Sequence, residues 1–421
     1  MATIPSLALI PSAYKENKVY SVLPSNGDGD FTFARASDAT RVNSNGLIET
    51  VVDNIPRLDY KDGGCPSLLL EPQRTNLVGY SEDFTEWNLL NTSILENIIN
   101  SPSGILNATK LIPSTTNTTH YTYFDGGIMN NDQCFSIFAK AENFSKISIE
   151  TGSVSTGGGV VFDLNQGIVY STFGNFYESS SIEEFNNGWY RCTLVTSRAS
   201  ANWLTVFVLD DNYNKNFQGN GSDGVYLWGG QTEQAPYPTS YIPTNGSSAT
   251  RVAETCNGAG NANTFNDSEG VLFAEISALA DDGTFRAITL SDGTLNNNFI
   301  LYFTQITNQV RVISQSSGVR YVDSTTSVSN ITNNNKIALK YKQNDFALWI
   351  NGVKVLTDLS FLTPIGLNIL NFDVGTGIED FYGNTKQLQY FDTALTDLEL
   401  EALTSWTSFD EMANALNYTI Q

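Results

Sequence analysis

Two apolar runs, Phe346-Ala347-Leu348-Trp349-Ile350 and Val353-Lys354-Val355-Leu356, meet across the dipeptide Asn351-Gly352. Asn and Gly tolerate the positive φ angles of a type I′ turn, so the pattern predicts a two-stranded hairpin. The same texture recurs along most of the chain. Phe135-Ser136-Ile137-Phe138-Ala139, Lys146-Ile147-Ser148-Ile149-Glu150, Val160-Val161-Phe162-Asp163-Leu164 and Leu204-Thr205-Val206-Phe207-Val208-Leu209 are short and rich in β-branched and aromatic residues. Such runs fit pleated, half-buried surfaces, and regular short strands with frequent turns imply sandwiches. The expected fold class is all-β: two β-sandwich (jelly-roll) domains preceded by an extended β-rich N-terminal segment, with one short C-terminal helix.

Composition narrows the chemistry. At 421 residues the chain is long enough for two to three domains at roughly 150 residues each. Lys and Arg number 22 against 44 Asp and Glu, and a net charge of -22 repels phosphate backbones and anionic lipid. The charge argues against nucleic acid partners, and no run is long enough to insert in a membrane. The single histidine, His120, leaves little room for a His-dependent triad or a His-rich zinc site. Cys65, Cys134, Cys192 and Cys256 lie far apart and read as small buried thiols rather than metal ligands or disulfides. Met1 to Pro11 has no positive leader and is interrupted by Pro5 and Pro11, so it does not read as a signal peptide.

The turn signals divide the chain. Residues 1–76 read as an extended N-terminal attachment segment, with turns such as Asn26-Gly27-Asp28-Gly29-Asp30 and no helix-length periodic stretch. Residues 77–255 read as a first β-sandwich. The small polar run from Asn257 to Asn263 has nothing to pack, so residues 256–267 read as a linker. Residues 268–407 read as a second sandwich, closed by a helix whose capping box is Thr396 and Glu399 and whose apolar face is Leu400, Leu403 and Trp406. Residues 408–421 form a C-terminal tail. Ala39-Thr40-Arg41-Val42 recurs as Ala249-Thr250-Arg251-Val252, either by coincidence or as equivalent edge strands.

Three segments carry a resemblance. Asn186-Asn187-Gly188-Trp189-Tyr190-Arg191-Cys192-Thr193-Leu194, with the Cys134 to Lys140 strand and Asn76 to Trp87, resembles jelly-roll carbohydrate-binding modules. The stretch from Phe381-Tyr382-Gly383-Asn384 through Ala394-Leu395-Thr396-Asp397 is similar to the laminin-G-like or concanavalin-A-like lectin fold. Phe31 to Ser37, Pro56-Arg57-Leu58-Asp59-Tyr60 and Leu69-Leu70-Glu71-Pro72-Gln73-Arg74-Thr75-Asn76-Leu77, joined by Tyr237-Pro238-Thr239-Ser240-Tyr241-Ile242-Pro243-Thr244, resemble bacteriophage virion proteins of the tail-fibre or head-fibre type. The resemblance implies a virion component assembled in the host cytoplasm, a homotrimer, attached to other virion proteins through the N-terminal segment and directed at a host cell-surface glycan. An architectural decoration protein and a polysaccharide depolymerase are the alternatives.

The residues favour binding over catalysis. Retaining hydrolysis needs two carboxyls about 5 Å apart, and no strand carries acids at alternate positions in the way lectin-fold glycanases do. The expectation is therefore no enzyme and no catalytic residue. Sugar binding needs exposed rings to stack on pyranose C–H faces beside hydrogen-bonding side chains. Tyr121, Tyr123, Tyr177, Trp203 and Tyr213 are the glycan-binding candidates, although the alternation of Trp203 with Thr205 and Phe207 also fits core packing. Trp189, Trp228 and Trp349 sit among strand residues and read as core. No cofactor is certain. The likeness to carbohydrate-binding modules implies a structural calcium, for which Glu82, Asp83 and Asp223 are the candidate oxygen donors.

Overall fold

The computed structural model describes residues 3–125, 132–152, 157–197 and 203–405. The expected tail 408–421 and Trp406 lie outside the described residues. The chain divides into two compact units. A flanking unit takes Met1–Ala36, Val51–Pro72 and Ala253–Gln421, and a middle unit takes Ser37–Thr50 and Gln73–Val252. Among the described residues the fold is all-β with one short α-helix, as the run lengths predict.

The flanking unit is a sandwich of two antiparallel sheets. One orders the strands Val353–Asp358, Phe346–Ile350, Asn335–Lys342, Glu269–Ala278, Gly383–Phe391, Ser67–Leu70 and Arg57–Asp59, with Leu7–Leu9 also paired to Gly383–Phe391. The other runs from Tyr14–Lys15 through Phe31–Ala34, Thr255–Ala259 and Ile369–Asn371 to the edge strand Val319–Ser327. Leu7, Leu9, Leu68, Leu272, Leu339 and Leu388 from the first sheet share one core with Phe31, Phe33, Ile288, Leu301 and Val312 from the second. The hairpin forms as expected, with Ile350 opposite Val353 and positive φ at Asn351 and Gly352. The Asp397–Ser405 helix begins at the expected capping box, where Glu399 accepts from the Thr396 amide at 2.8 Å. Its Leu400 and Leu403 cover Val271, Phe273 and Trp349 on the outer side of the first sheet.

Residues expected as a separate N-terminal segment are thus distributed as strands of folded units. Val19 pairs with Phe31, Cys256 with Phe33, and Leu9 with Leu388. The expected linker differs in the same way: Thr255–Ala259 is a strand between Phe31–Ala34 and Ile369–Asn371. Local composition suggested nothing for Asn257 to pack against. Its side chain nevertheless accepts from the Phe372 amide at 2.8 Å and donates to Asp373 at 2.9 Å. The two Ala-Thr-Arg-Val copies each form a short two-stranded ladder of the middle unit, Ala39–Val42 with Ile48–Val51 and Ala249–Arg251 with Arg74–Asn76.

A buried ion network ties the three pieces of the flanking unit. Glu254 accepts from Arg57 Nε at 2.8 Å and from Arg35 Nη1 at 2.8 Å, while Arg57 Nη1 donates to Glu71 at 2.7 Å. Arg35 also donates to the carbonyls of Val52 and Ile55. Burial alone would lower the Arg57 pKa, but the charges of Glu254 and Glu71 reverse this and hold it firmly protonated. Removing one partner strands the others in a dry interior. Glu254→Gln is expected to lower the stability of the flanking unit by about 3–5 kcal/mol in urea denaturation. A loss below about 1 kcal/mol, the range of an exposed pair, would contradict this.

The middle unit is a second sandwich. Its six-stranded sheet orders Thr92–Asn100, Leu106–Pro113, Val225–Glu233, Gln133–Ala141, Trp189–Thr196 and Tyr177–Phe185. Its seven-stranded sheet orders Asn88–Leu90, Thr118–Asp125, Trp203–Leu209, Lys146–Thr151, Gly158–Asp163 and Ile168–Phe173, with Asn216–Phe217 paired to Thr118–Asp125. Phe135, Ile137, Leu194 and Leu227 meet Ile147, Ile149, Val160, Phe162, Leu204 and Val206 between them. Trp189, Trp228 and Trp349 are buried as expected, and so are Cys134, Cys192 and Cys256. Cys65 departs from that expectation and is exposed.

Candidate functional site

The two outward faces of the middle unit differ. That of the six-stranded sheet is closed by its own chain, since Phe138, Trp189 and Trp228 are buried with Ile48 and Tyr241. On the seven-stranded sheet the pleat sends Leu204, Val206, Val208, Ile147 and Ile149 into the core. Trp203, Thr205 and Phe207, with Lys146, Ser148 and Glu150, therefore point outward. In register beside them, Tyr121 stands opposite Phe207, Tyr123 opposite Thr205 and Asp125 opposite Trp203.

These positions make a continuous ring platform. Trp203 lies 5.2 Å from Tyr123, Tyr123 6.2 Å from Tyr121, and Tyr121 4.6 Å from Phe207. Trp203 is 43% exposed, which corrects the core-packing reading of its alternation with Thr205 and Phe207. The set with branched aliphatic side chains went inward, and the set with a hydroxyl and large rings went out. Burial and the neighbouring Tyr123 push the Tyr121 phenol up, so it remains a neutral hydrogen-bonding group.

Polar groups flank the rings. Lys215 Nζ lies 2.6 Å from the Glu150 carboxylate and sits over the Phe207 and Phe173 rings at 4.7 and 5.1 Å. Ser148 donates to the same carboxylate. Phe173 lies against Gly159, where a Cβ would come within 2.3 Å of the ring, so a side chain at that position would displace the ring. Phe207, Phe173, Glu150 and Lys215 were absent from the sequence-based candidates. The alternation Lys146-Ile147-Ser148-Ile149-Glu150 was the available signal for Glu150, because it separates the two faces without ambiguity. Lys215 gave no signal, since it reaches the face from a connection.

Tyr213 joins the same face further along. Its ring stacks on Tyr170 at 3.6 Å with 5° between planes, and its hydroxyl donates to Asp163 at 2.9 Å. Partial burial, then that hydrogen bond and the Asp163 charge, push its phenol up to about 12. Tyr177 is elsewhere: it belongs to the edge strand of the six-stranded sheet and its hydroxyl is 3.0 Å from Ser180 Oγ. His120 is buried, its ring nitrogens 2.7 and 2.9 Å from the carbonyls of Asn91 and Phe217.

The three carboxylates expected to share calcium do not assemble. Glu82 and Asp83 line a recess of about 460 Å³ with Glu96, Asn107, Thr244 and Asn245, and Asp223 is not part of that lining. Asp83 caps the turn at Thr85, accepting from its amide at 3.0 Å and its hydroxyl at 2.6 Å. Asp223 accepts from Asn143 at 2.7 Å and from Asn220 at 2.6 Å. Among the described residues, no three Asp, Glu, Cys or His side chains gather as a metal site would require. Bonds from turn groups, asparagine side chains and the Tyr241 hydroxyl occupy the lone pairs of these carboxylates instead.

No protein-family model matches the chain, and no curated protein matches it. Among solved structures it is similar to the CBM40 of an intramolecular trans-sialidase from Ruminococcus gnavus at 20% identity, with 35% of this chain and 94% of that one covered and a TM-score of 0.30. It is similar to domains LG4-5 of the mouse laminin alpha1 chain at 10% identity, covering 67% and 90%, with a TM-score of 0.22. A leech intramolecular trans-sialidase matches at 16% identity, covering 36% of this chain and 27% of the enzyme, with a TM-score of 0.29. The site's own geometry, and not these slight likenesses, carries the functional reading.

Glu82 offers a check on the recess. Burial raises its pKa, and the hydrogen bonds from Tyr241 and Asn107 pull it back only in part. A carboxyl whose folded value is raised contributes stability when protonated and loses it as pH climbs through that value. In urea denaturation between about pH 4 and about pH 7, the stability difference between wild type and Glu82→Gln is therefore expected to move toward the variant as pH rises. Parallel pH profiles would contradict the assignment.

Proposed function

We propose that the chain binds glycans through the exposed face of the seven-stranded sheet, without cleaving them, as the receptor-binding fibre component of a bacteriophage virion directed at bacterial surface polysaccharide. The observation that supports binding most strongly is the platform of Trp203, Tyr123, Tyr121 and Phe207, whose rings lie 4.6 to 6.2 Å apart on a sheet face bordered by Lys215 and Glu150. Aromatic rings burdened with exposure gain free energy by stacking on the C–H face of a pyranose, while phenols and the carboxylate–ammonium pair hydrogen-bond its hydroxyls. No titrating group has to act. The virion assignment rests on the sequence likeness of the Phe31 to Ser37 and Leu69 to Leu77 segments, and a homotrimer would multiply a weak single-site affinity by effective concentration.

The test is a glycan array probed with the purified protein, followed by titration of the bound glycan. Trp203→Ala and Tyr123→Ala are each expected to weaken binding at least about tenfold while thermal stability changes little, because both side chains lie outside the core. Retained affinity in both variants would locate binding elsewhere. Release of reducing ends from the bound polysaccharide would overturn the non-catalytic reading.

A further inference from the structure

The ring platform does not end at Phe207. Lys146 stands in register with Leu209 and with Asp163, on the outward side of both neighbouring strands, and its ammonium lies over the Tyr213 ring at 5.2 Å. Tyr213 and its stacked partner Tyr170 are thus on the same sheet face as Trp203. From Trp203 to Leu209 is a rise of six residues, about 20 Å along the strands. That length is several times the width of one sugar ring.

The far end of this row is held in an uncommon conformation. Tyr213 has φ 63, a left-handed backbone that a bulky side chain rarely adopts. It is fixed there by Asp210, whose carboxylate accepts from the amides of Asn212 and Asn214 at 2.9 and 2.8 Å and from the Asn214 side chain at 3.0 Å. Tyr170, meanwhile, stays 51% exposed at a bulge of its strand. Strain of this kind persists where surrounding bonds impose it, and here its result is a stacked ring pair whose Tyr170 member is open to solvent.

The charges limit what can lie across the face. Lys215 is bound to Glu150, and Lys146 lies 3.8 Å from Asp163 and 3.5 Å from Asp211, so each cation already has an acidic partner. Asp163 and Asp211 share the one ammonium of Lys146, so acids outnumber cations here, on a chain of net charge -22. An acidic sugar polymer would meet surplus carboxylates.

We propose that this face holds an internal stretch of an uncharged polysaccharide, extending from the Trp203 end to the Tyr170–Tyr213 pair, rather than a single terminal sugar. The inference rests on the glycan-binding reading above and adds the ligand's length and charge. Calorimetric titration of the full chain with cello-, malto-, laminari- and manno-oligosaccharides of two to six residues tests it, with oligogalacturonates as the acidic comparison. At least one neutral series is expected to bind with affinity rising about tenfold or more from disaccharide to hexasaccharide. Tyr213→Asn, which keeps a residue tolerant of the left-handed backbone, and Tyr170→Ala should each weaken the hexasaccharide about fivefold or more and leave the disaccharide unchanged; Trp203→Ala should weaken both. A disaccharide that binds as tightly as the hexasaccharide, hexasaccharide affinity indifferent to both tyrosine variants, or a preference for oligogalacturonate would overturn the inference and leave the Trp203 platform standing. Failure of every series to bind, together with no glycan retained on the array, would remove the glycan reading as well.

Discussion

A pleated strand presents alternate residues to opposite sides, and a sheet with one side in a core must expose the other to something. In the middle unit the six-stranded sheet meets this demand with its own chain, through Ile48 and Tyr241 laid over Phe138, Trp189 and Trp228. The seven-stranded sheet does not. Its inner row of Ile147, Ile149, Val206 and Val208 fixes the register of every outward residue, because a one-residue slip would exchange the faces. The spacing of Trp203, Tyr123, Tyr121 and Phe207 is therefore a consequence of core packing on the far side of the sheet.

The flanking unit relies on a different constraint. Its strands come from three stretches of sequence, and Arg35, Arg57, Glu71 and Glu254 join them with paired, fully desolvated charges. Hydrophobic burial by itself tolerates sliding of short strands such as Arg57–Asp59 and Ser67–Leu70. A bidentate guanidinium between two carboxylates does not, since a shift of one residue would leave a charge unpaired in the interior. The network thereby specifies which partner each short strand takes, at a site where no ligand is needed to hold it.

Much of this was legible from local pattern. The Asn351-Gly352 hairpin, the Thr396 and Glu399 cap and the burial of Trp189 and Trp228 all follow from residues within a few positions of one another. What remained hidden depends on contacts across long separations. Phe33 finds Cys256, Leu9 finds Leu388, and Asn257 bonds Phe372 and Asp373, so stretches that looked like attachment segment and linker are strands. At the site, Tyr121, Tyr123, Trp203 and Tyr213 were recognisable as large rings among polar neighbours. Their gathering on one face depends on the pairing of Thr118–Asp125 with Trp203–Leu209, which the sequence does not encode locally. Tyr177 carried the same local signal and lies on the other sheet.

The central claim is that outward rings of one sheet grip a carbohydrate and leave its bonds intact. A crystal structure of the protein soaked with a glycan that it retains tests this most directly. The account predicts intact sugar density lying flat over Tyr123 and Trp203, with hydroxyls within reach of Lys215 and Glu150. Density seated on another surface, or a cleaved glycan between two facing carboxylates, would contradict it.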